Sequence, residues 1–333
     1  MIKTLLVDGN NLLTIGCYGV KDFFHNGKHV GGVWHFINTL RRFIDTENFD
    51  KVVVVWDGEN NSTARKILYP QYKENRKTTF SEEKSNSISE QKQRVKLYLE
   101  ELFIRQIIVD DNEGDDLIAY YCQISPDEDK TIFSGDRDLT QLISDNVRVY
   151  LPDMRQYYKK GDKIKLKDIE IPHYNIKTYK VIAGDKSDNI DGVYFLGEKT
   201  IMKLFPEILE NEVSVNDILL RAEELHKNDK DNKILHNILS GRSKSGIFGK
   251  ELYEVNEQIV DLSNPLITED GKEIVKEYYS ETLDPDGRGH RNVIRMMMED
   301  GFFKFLPKGD NNWVNFLTPF LKLTRKEKRK YKK

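Results

Sequence analysis

Nine acidic residues stand in short motifs whose spacing suits metal-dependent chemistry: Asp8 in "LLVDGNN", Asp57 in "VVVVWDG", Glu113, Asp115 and Asp116 in "EGDDL", Asp136 and Asp138 in "SGDRDL", and Asp185 and Asp188 in "AGDKSDNIDGV". The densest stretch, "DDNEGDD", holds five carboxylates and no cation. Two carboxylates about 4 Å apart oppose each other by roughly 4 kcal/mol at an effective dielectric near 20. Such a group must stay splayed in water or take up a cation. No His or Cys stands in these motifs, so the donors are hard oxygens, which select Mg²⁺ or Mn²⁺ over zinc. Taken singly, each motif also fits a strand-end turn or a helix cap; it is their recurrence together that favours a metal site.

The elements that must position these acids alternate in type. Short β-branched runs ("TLLVD", "KVVVVWD", "RQIIVD", "KTIFSGD") are separated by amphipathic stretches, one from about Gly32 to Thr46 and another from about Asp115. Strand-helix alternation predicts an α/β fold around a parallel sheet. Asp8, Asp57 and Asp136 close three of these runs, and ligand crevices of open α/β sheets lie outside the carboxyl ends of the strands. The acids are therefore expected along one sheet edge. Asp115 and Asp116 fall where a helix begins, so they complement its N-terminal N–H groups.

Between Glu59 and Lys96 strand signals vanish. Ser62 to Lys96 carries nine Lys or Arg against four Glu, and its Ser- and Glu-rich middle, Thr78 to Ser89, predicts a mobile loop between two helical arms. Beyond about Asp168 the pattern is helical. The last nine residues, "RKEKRKYKK", hold seven bases and one acid and read as a frayed tail.

Composition bounds the classes. The chain has 333 residues, 38% hydrophobic and 32% charged, with a formal net charge of -3; this excludes a disordered chain and allows one large or two smaller cores. Cys17 and Cys122 have no metal-type spacing and suggest a reducing compartment. No apolar stretch approaches a membrane span or a signal peptide. A soluble cytoplasmic protein is expected.

Taken in order, "LLVDGNNLL", "VVVVWDG", "YKENR", "EGDDLIA", "SGDRDLTQLI" and "AGDKSDNIDGV" resemble the 5′-nucleases of the flap endonuclease superfamily over at least Met1 to Phe205. "ELYEVNEQIVDLSNP" extends the likeness to about Pro265, and "VYLPDMRQYYKK" with "GRGHRNVIRMMMEDGFFKFL" looks most like the phage replication branch that removes RNA primers. The resemblance implies a PIN-like parallel sheet flanked by helices in a nuclease core at 1–168, with a helical arch at about 60–95. It further implies a helix-hairpin-helix and helical DNA-binding region at 169–310 and a flexible basic tail at 311–333.

It also implies one Mg²⁺ on Asp8, Asp57, Glu113, Asp115, Asp116 and Asp136 and a second on Asp138, Asp185 and Asp188, with Mn²⁺ as a substitute. Lys73 and Arg76, on one face of an arch helix, correspond to the phosphate-steering pair, and Tyr72 to a ring that stacks on an unpaired terminal base. Gly192, Gly197, Lys199 and Thr200 match the hairpin that grips duplex phosphates. Phe195 and Leu196 depart from the family's Gly-Ile, which weighs against a potassium ion at the hairpin. The expected substrates are DNA with 5′ flaps, nicks or 5′ ends, and RNA·DNA hybrids. Candidate protein partners are a single-stranded DNA-binding protein or a sliding clamp, the chain is expected to be a monomer, and a phage-encoded version would act in the host cytoplasm. A small PIN ribonuclease would lack the arch and hairpin, a binding scaffold would not need every acid, and an aspartyl phosphotransferase would not crowd its nucleophile with carboxylates.

Overall fold

The computed structural model describes residues 1–78, 82–247, 249–281, 283, 288–306 and 312–331. Its centre is a six-stranded sheet in the order β5-β4-β1-β6-β7-β8. Five strands are parallel: β1 (Ile2–Asp8), β4 (Lys51–Asp57), β5 (Arg105–Val109), β6 (Glu128–Phe133) and β7 (Val147–Leu151); β8 (Gln156–Tyr158) pairs antiparallel with β7. Leu5, Leu6 and Val7 in β1 and Val52 through Trp56 in β4 are all buried. These unbroken apolar runs belong to strands covered on both faces.

One face is covered by α1 (Gly9–Gly19), α2 (Gly31–Glu47) and α4 (Glu82–Glu101), with a small hairpin, β2 (Phe24–His25) and β3 (Lys28–His29), between the first two helices. The other face carries α5 (Gly114–Ile124), while α3 (Thr63–Leu68) lies in the insertion after β4. A short ladder of β9 (Lys163–Lys165) and β10 (Glu170–Pro172) leads into α6 (Ile176–Ala183), followed by the ladder β11 (Gly184–Asp185) and β12 (Ile190–Asp191). The helices α7 (Glu198–Leu204), α8 (Val215–Asn228), α9 (Lys233–Leu239), α10 (Lys250–Val260) and α11 (Glu269–Ser280) continue the chain. The closing pair, α12 (His290–Glu299) and α13 (Asn312–Tyr331), returns to the first face. Among the described residues no helix is long and apolar enough to cross a membrane.

Three sequence expectations are corrected. The arch middle is not a loop over its whole length: α4 already runs from Glu82, with Glu82 and Glu83 in its first turn where the helix dipole favours them, and it is anchored by buried Gln91, Val95, Tyr98 and Leu99. Thr79, Phe80 and Ser81 of that expected loop lie outside the described residues.

The expected tail at 311–333 is helical over its described residues, 312–331, and residues 311, 332 and 333 lie outside the described residues. Asn312–Tyr331 is a helix whose Phe316, Leu317, Phe320 and Leu323 are buried against α2, with Phe316 stacked on Trp34 at 5.5 Å. Lys326 pairs with Asp50 at 2.7 Å. Apolar spacing at i, i+1, i+4 and i+7 outweighs the basic end.

The division at residue 168 is crossed too. One apolar cluster runs from Leu6 and Val53 through Ile176 and Phe205 to Val275, and the other unites Leu5, Val7 and Val54 of the central strands with Met297 and Phe320. The strands β7 and β8 were not foreseen, although Val147, Val149 and Leu151 alternate inward.

Phe320 is fully buried, so Phe320→Ala should cost about 3–5 kcal/mol, measured as a lowered urea midpoint. A midpoint equal to that of the parent chain would make α13 the dispensable tail that its charge suggests.

Candidate metal and nuclease centre

The acids come from the carboxyl ends of adjacent strands, because β4, β1 and β6 are parallel neighbours in the sheet. Asp8 ends β1 and caps α1, its Oδ1 accepting from the Asn11 N–H at 2.9 Å and its Oδ2 from Ser134 Oγ at 2.7 Å. Asp57 ends β4 and accepts from the Gly114 N–H at 2.8 Å and from the Asn10 amide. The chain must turn sharply after Asp57, and a Cβ on Gly58 would collide with the Val109 carbonyl. Asp115 lies in the first turn of α5. Asp136 follows β6 and accepts from the Asp138 N–H at 2.8 Å.

Asp8, Asp57, Asp115 and Asp136 act on one another electrostatically. Burial, then Asp57 and Asp136, push the Asp8 carboxyl up to about 7. Burial, then Asp136, Asp8 and Asp57, raise Asp115 well above the usual carboxylate range.

The outer acids are instead matched to cations. Lys73 Nζ donates to Glu113 at 2.8 Å, Tyr72 donates its hydroxyl to Glu113 and to Asp188, both at 3.1 Å, and Arg76 pairs with Asp188. Burial would raise Glu113, but Arg65 and then Lys73 hold it below its ordinary value. Lys180 bridges Asp138 and Asp185, donating to Asp185 at 2.6 Å. Burial still drives Asp138 up to about 7, whereas Lys180 and Ser187 outweigh burial at Asp185 and lower it. Among the described residues no three acids, His or Cys already converge on one point as metal ligands. The inner group is held by Asn10, Asn11, Ser134 and Gly114, and the second is divided between Lys180 and Arg76.

Several expected roles change. Asp116 faces away from the inner acids: 1% exposed, it takes both guanidinium nitrogens of buried Arg65 and the Leu266 N–H at 3.0 Å, tying α5 to α3 and to the segment after α10. As placed, its polar contacts are with Arg65 and the Leu266 N–H and not with the inner acids. Tyr72 is 2% exposed, so its ring is core and its hydroxyl orders Glu113 and Asp188; it presents no face to a base. Lys73 and Arg76 do not share an α-helical face. Lys73 takes a left-handed backbone, φ +54, just before a 3₁₀ turn at Glu74–Thr78 that carries Arg76, and the Lys73 N–H donates to the Asp188 carbonyl at 2.8 Å. Both side chains nevertheless reach acids at the rim.

In the hairpin, Phe195 adopts φ +65 while Gly197 is extended at φ -96, so the left-handed turn persists without its glycine. Gly192 is needed, since a Cβ there would strike the Ala183 backbone. Lys199 is exposed and Thr200 half-buried. A cleft of about 770 Å³ runs from Asp136 and Asp185 past Lys180 to Gly197, Lys199 and Thr200. Sequence reading missed Asn10, Asn11, Ser134, Arg65 and Lys180. The first three stood in quoted motifs, and Lys180 lies five residues before Asp185 in "YKVIAGD".

Because Asp8, raised to about 7, holds its proton more tightly folded than unfolded, its burial penalises folding increasingly as pH rises from about 4 to 7, and Asp115, also raised by burial and by its acidic neighbours, adds a penalty of the same sign. In metal-free buffer Asp115→Asn should therefore raise the thermal midpoint, with a larger gain at pH 8 than at pH 5. Asp116→Asn should instead lose about 3–5 kcal/mol by stranding Arg65. Calorimetry on both variants separates the two neighbours, and equal effects would refute the division.

The model of the family described as 5′-3′ exonuclease, N-terminal resolvase-like domain matches residues 3–169. A 5′-3′ exonuclease of Halalkalibacterium halodurans is 29% identical over 278 residues, 78% of this chain and 86% of that protein. A thermostable DNA polymerase I of Thermus filiformis is 30% identical over 240 residues, but the chain spans only 27% of its length. Among solved structures, the bacteriophage T5 5′-exonuclease with bound divalent zinc ions shares the fold at a TM-score of 0.66 and 20% identity, covering 83% of this chain and 98% of that one. A T5 flap endonuclease in complex with DNA and metal ions gives 0.60 at 19% identity, over 90% and 99%. With half of its length matched by the family model and its acids gathered at the carboxyl edge of the same sheet, the chain belongs to the 5′-3′ exonuclease family of nucleases.

Proposed function

We propose that the protein is a structure-specific 5′ nuclease that hydrolyses phosphodiesters near the 5′ end or flap junction of DNA and RNA·DNA duplexes, in primer or flap removal during phage-type replication. The observation that carries this reading is the inner group of four mutually repelling carboxylates beside a rim where Lys73 and Arg76 are poised over the outer acids.

The inner group fits a divalent cation. Its donors are all hard oxygens, and the raised protonation of Asp8 and Asp115 marks a deficit of positive charge. Asp8, Asp57, Asp115 and Asp136 would hold one Mg²⁺ with Glu113 at the rim, and Asp138, Asp185 and Asp188 the second; Mn²⁺ would substitute. When bound, the ions supply charge neutralisation at the scissile phosphate and a lowered pKa for water.

The chain's own groups do the rest. Lys73 Nζ and the Arg76 guanidinium exchange Glu113 and Asp188 for the non-bridging phosphate oxygens, where negative charge grows. The Asn10 amide holds Asp57, the Asn11 backbone N–H and Ser134 hold Asp8, and the Asn11 side-chain oxygen fixes the Gly135 N–H beside Asp136. Water adds to phosphorus in line, the bond to the 3′ oxygen breaks, and that oxygen takes a proton, leaving a 5′-phosphate and a 3′-hydroxyl. Gly197, Lys199 and Thr200 at the far end of the cleft, with Gly192 in the same hairpin, carry the duplex through its phosphates, so binding depends on salt and little on sequence.

Two measurements test this reading. Asp138→Asn should abolish cleavage of a 5′-flap duplex in Mg²⁺ while leaving duplex binding largely intact; undiminished cleavage would end the two-metal assignment. Lys73→Ala should slow single-turnover cleavage by about ten-fold or more, and a rate within about two-fold of the parent would reduce Lys73 to a partner of Glu113.

A further inference from the structure

At the far end of the cleft, two loops lie side by side. Residues 192–197 follow β12 and residues 241–246 follow α9. An isolated bridge joins Val193 to Ser243, the Tyr194 N–H donates to the Arg242 carbonyl at 2.8 Å, and the Ser245 N–H donates to the Asp191 carboxylate at 2.7 Å. Asn237 fastens the base of the pair by donating to the Tyr194 carbonyl at 3.0 Å. At the shared tip Phe195 is 69% exposed and sits at φ +65, with its ring 4.0 Å from that of Tyr194. The Arg242 guanidinium lies 5.6 Å from the Tyr194 ring centre, and Arg242, Lys244 and Lys199 are all exposed. Glu198 is turned back onto the Asp168 N–H and the Tyr179 hydroxyl, away from these cations.

Phe195 costs the fold twice. A left-handed backbone suits glycine and strains phenylalanine, and an exposed ring forgoes the gain of burial. A glycine would make the same turn without either penalty. The surroundings indicate what the ring meets outside the chain: exposed Arg242 and Lys244 on the neighbouring loop and Lys199 at the start of α7 favour an anionic polymer, and Leu196 to Thr200 line the same cleft as Asp136 and Asp185. Apolar side chains flanked by cations are a means of engaging the minor groove while neighbouring phosphates are held.

We propose that Phe195, with Arg242 and Lys244 of the neighbouring loop, extends the hairpin's phosphate contacts into the duplex groove, the ring seated against the sugar edge of the minor groove and the cations on the flanking phosphates. This contact sets how far the duplex extends from the acid centre. It rests on the nuclease reading above.

The test exploits the opposed effects on stability and binding. In the full chain, Phe195→Gly should raise the thermal midpoint yet raise KM for a 5′-flap duplex about ten-fold, with the single-turnover rate at saturating DNA within about two-fold. Phe195→Tyr should restore KM. The double change Arg242→Ala with Lys244→Ala should reduce the salt slope of binding by about two. A lowered midpoint in Phe195→Gly overturns the strain argument, and an unchanged KM overturns the contact. Lys199→Ala tells the two failures apart: if it raises KM while Phe195→Gly does not, only the Phe195 contact falls. If neither does, the duplex does not pass over this hairpin and the wider placement falls with it.

Discussion

The constraint on which this structure turns is the repulsion among carboxylates gathered at one edge of a parallel sheet. β1, β4 and β6 are hydrogen-bonded neighbours running in the same direction, so Asp8, Asp57 and Asp136 leave them on the same side. The start of α5 adds Asp115. Water cannot fully screen charges at the bottom of such a crevice, and the proton affinities of Asp8 and Asp115 rise accordingly. The sheet that creates the site thus also destabilises it until positive charge arrives.

The surrounding elements can be understood as the supply of that charge. Arg65 on α3 occupies Asp116, Lys73 and Arg76 on the turn after α3 occupy Glu113 and Asp188, and Lys180 on α6 is shared by Asp138 and Asp185. These cations differ in what they can release. Arg65 and Asp116 are both buried with their hydrogen bonds made, so that pair is architecture. Arg76 is half exposed and Lys73 is largely buried beside Glu113, so on the proposed reading Arg76 would trade its carboxylate for a phosphate more readily than Lys73. The insertion therefore serves the protein as counter-charge and, on the function proposed here, would serve the substrate as an electrostatic clamp.

The helices that close the chain contribute through packing. α12 and α13 return to α4 and α2, and Arg94 of α4 is fixed by Asp300 at 2.8 Å and by Glu299 at 2.9 Å. The arm that carries the basic insertion is thereby held at its C-terminal end by residues some two hundred positions later. At the opposite end of the cleft, strain is concentrated in a single exposed side chain, Phe195, on a hairpin otherwise well bonded to its neighbour loop. Local strain survives where the surrounding structure over-determines it.

Much of this was legible in the sequence because it depends on period and order. Unbroken apolar runs in "TLLVD" and "KVVVVWD" marked buried parallel strands, and the acids that follow them were bound to share an edge once the strands were parallel. The motif order was enough to indicate the family. Tertiary structure decided what depends on direction and partners: that Asp116 turns to Arg65 while Asp115, one residue earlier, turns to the acids; that Tyr72 is core; that Lys180 stands between Asp138 and Asp185; and that the helix leading into the basic end packs through Phe316, Leu317, Phe320 and Leu323. Adjacent helix positions point about 100° apart, and a charged side chain goes wherever a counter-charge is brought within reach. Neither the direction nor the counter-charge is written in local sequence; both are set only when distant segments meet.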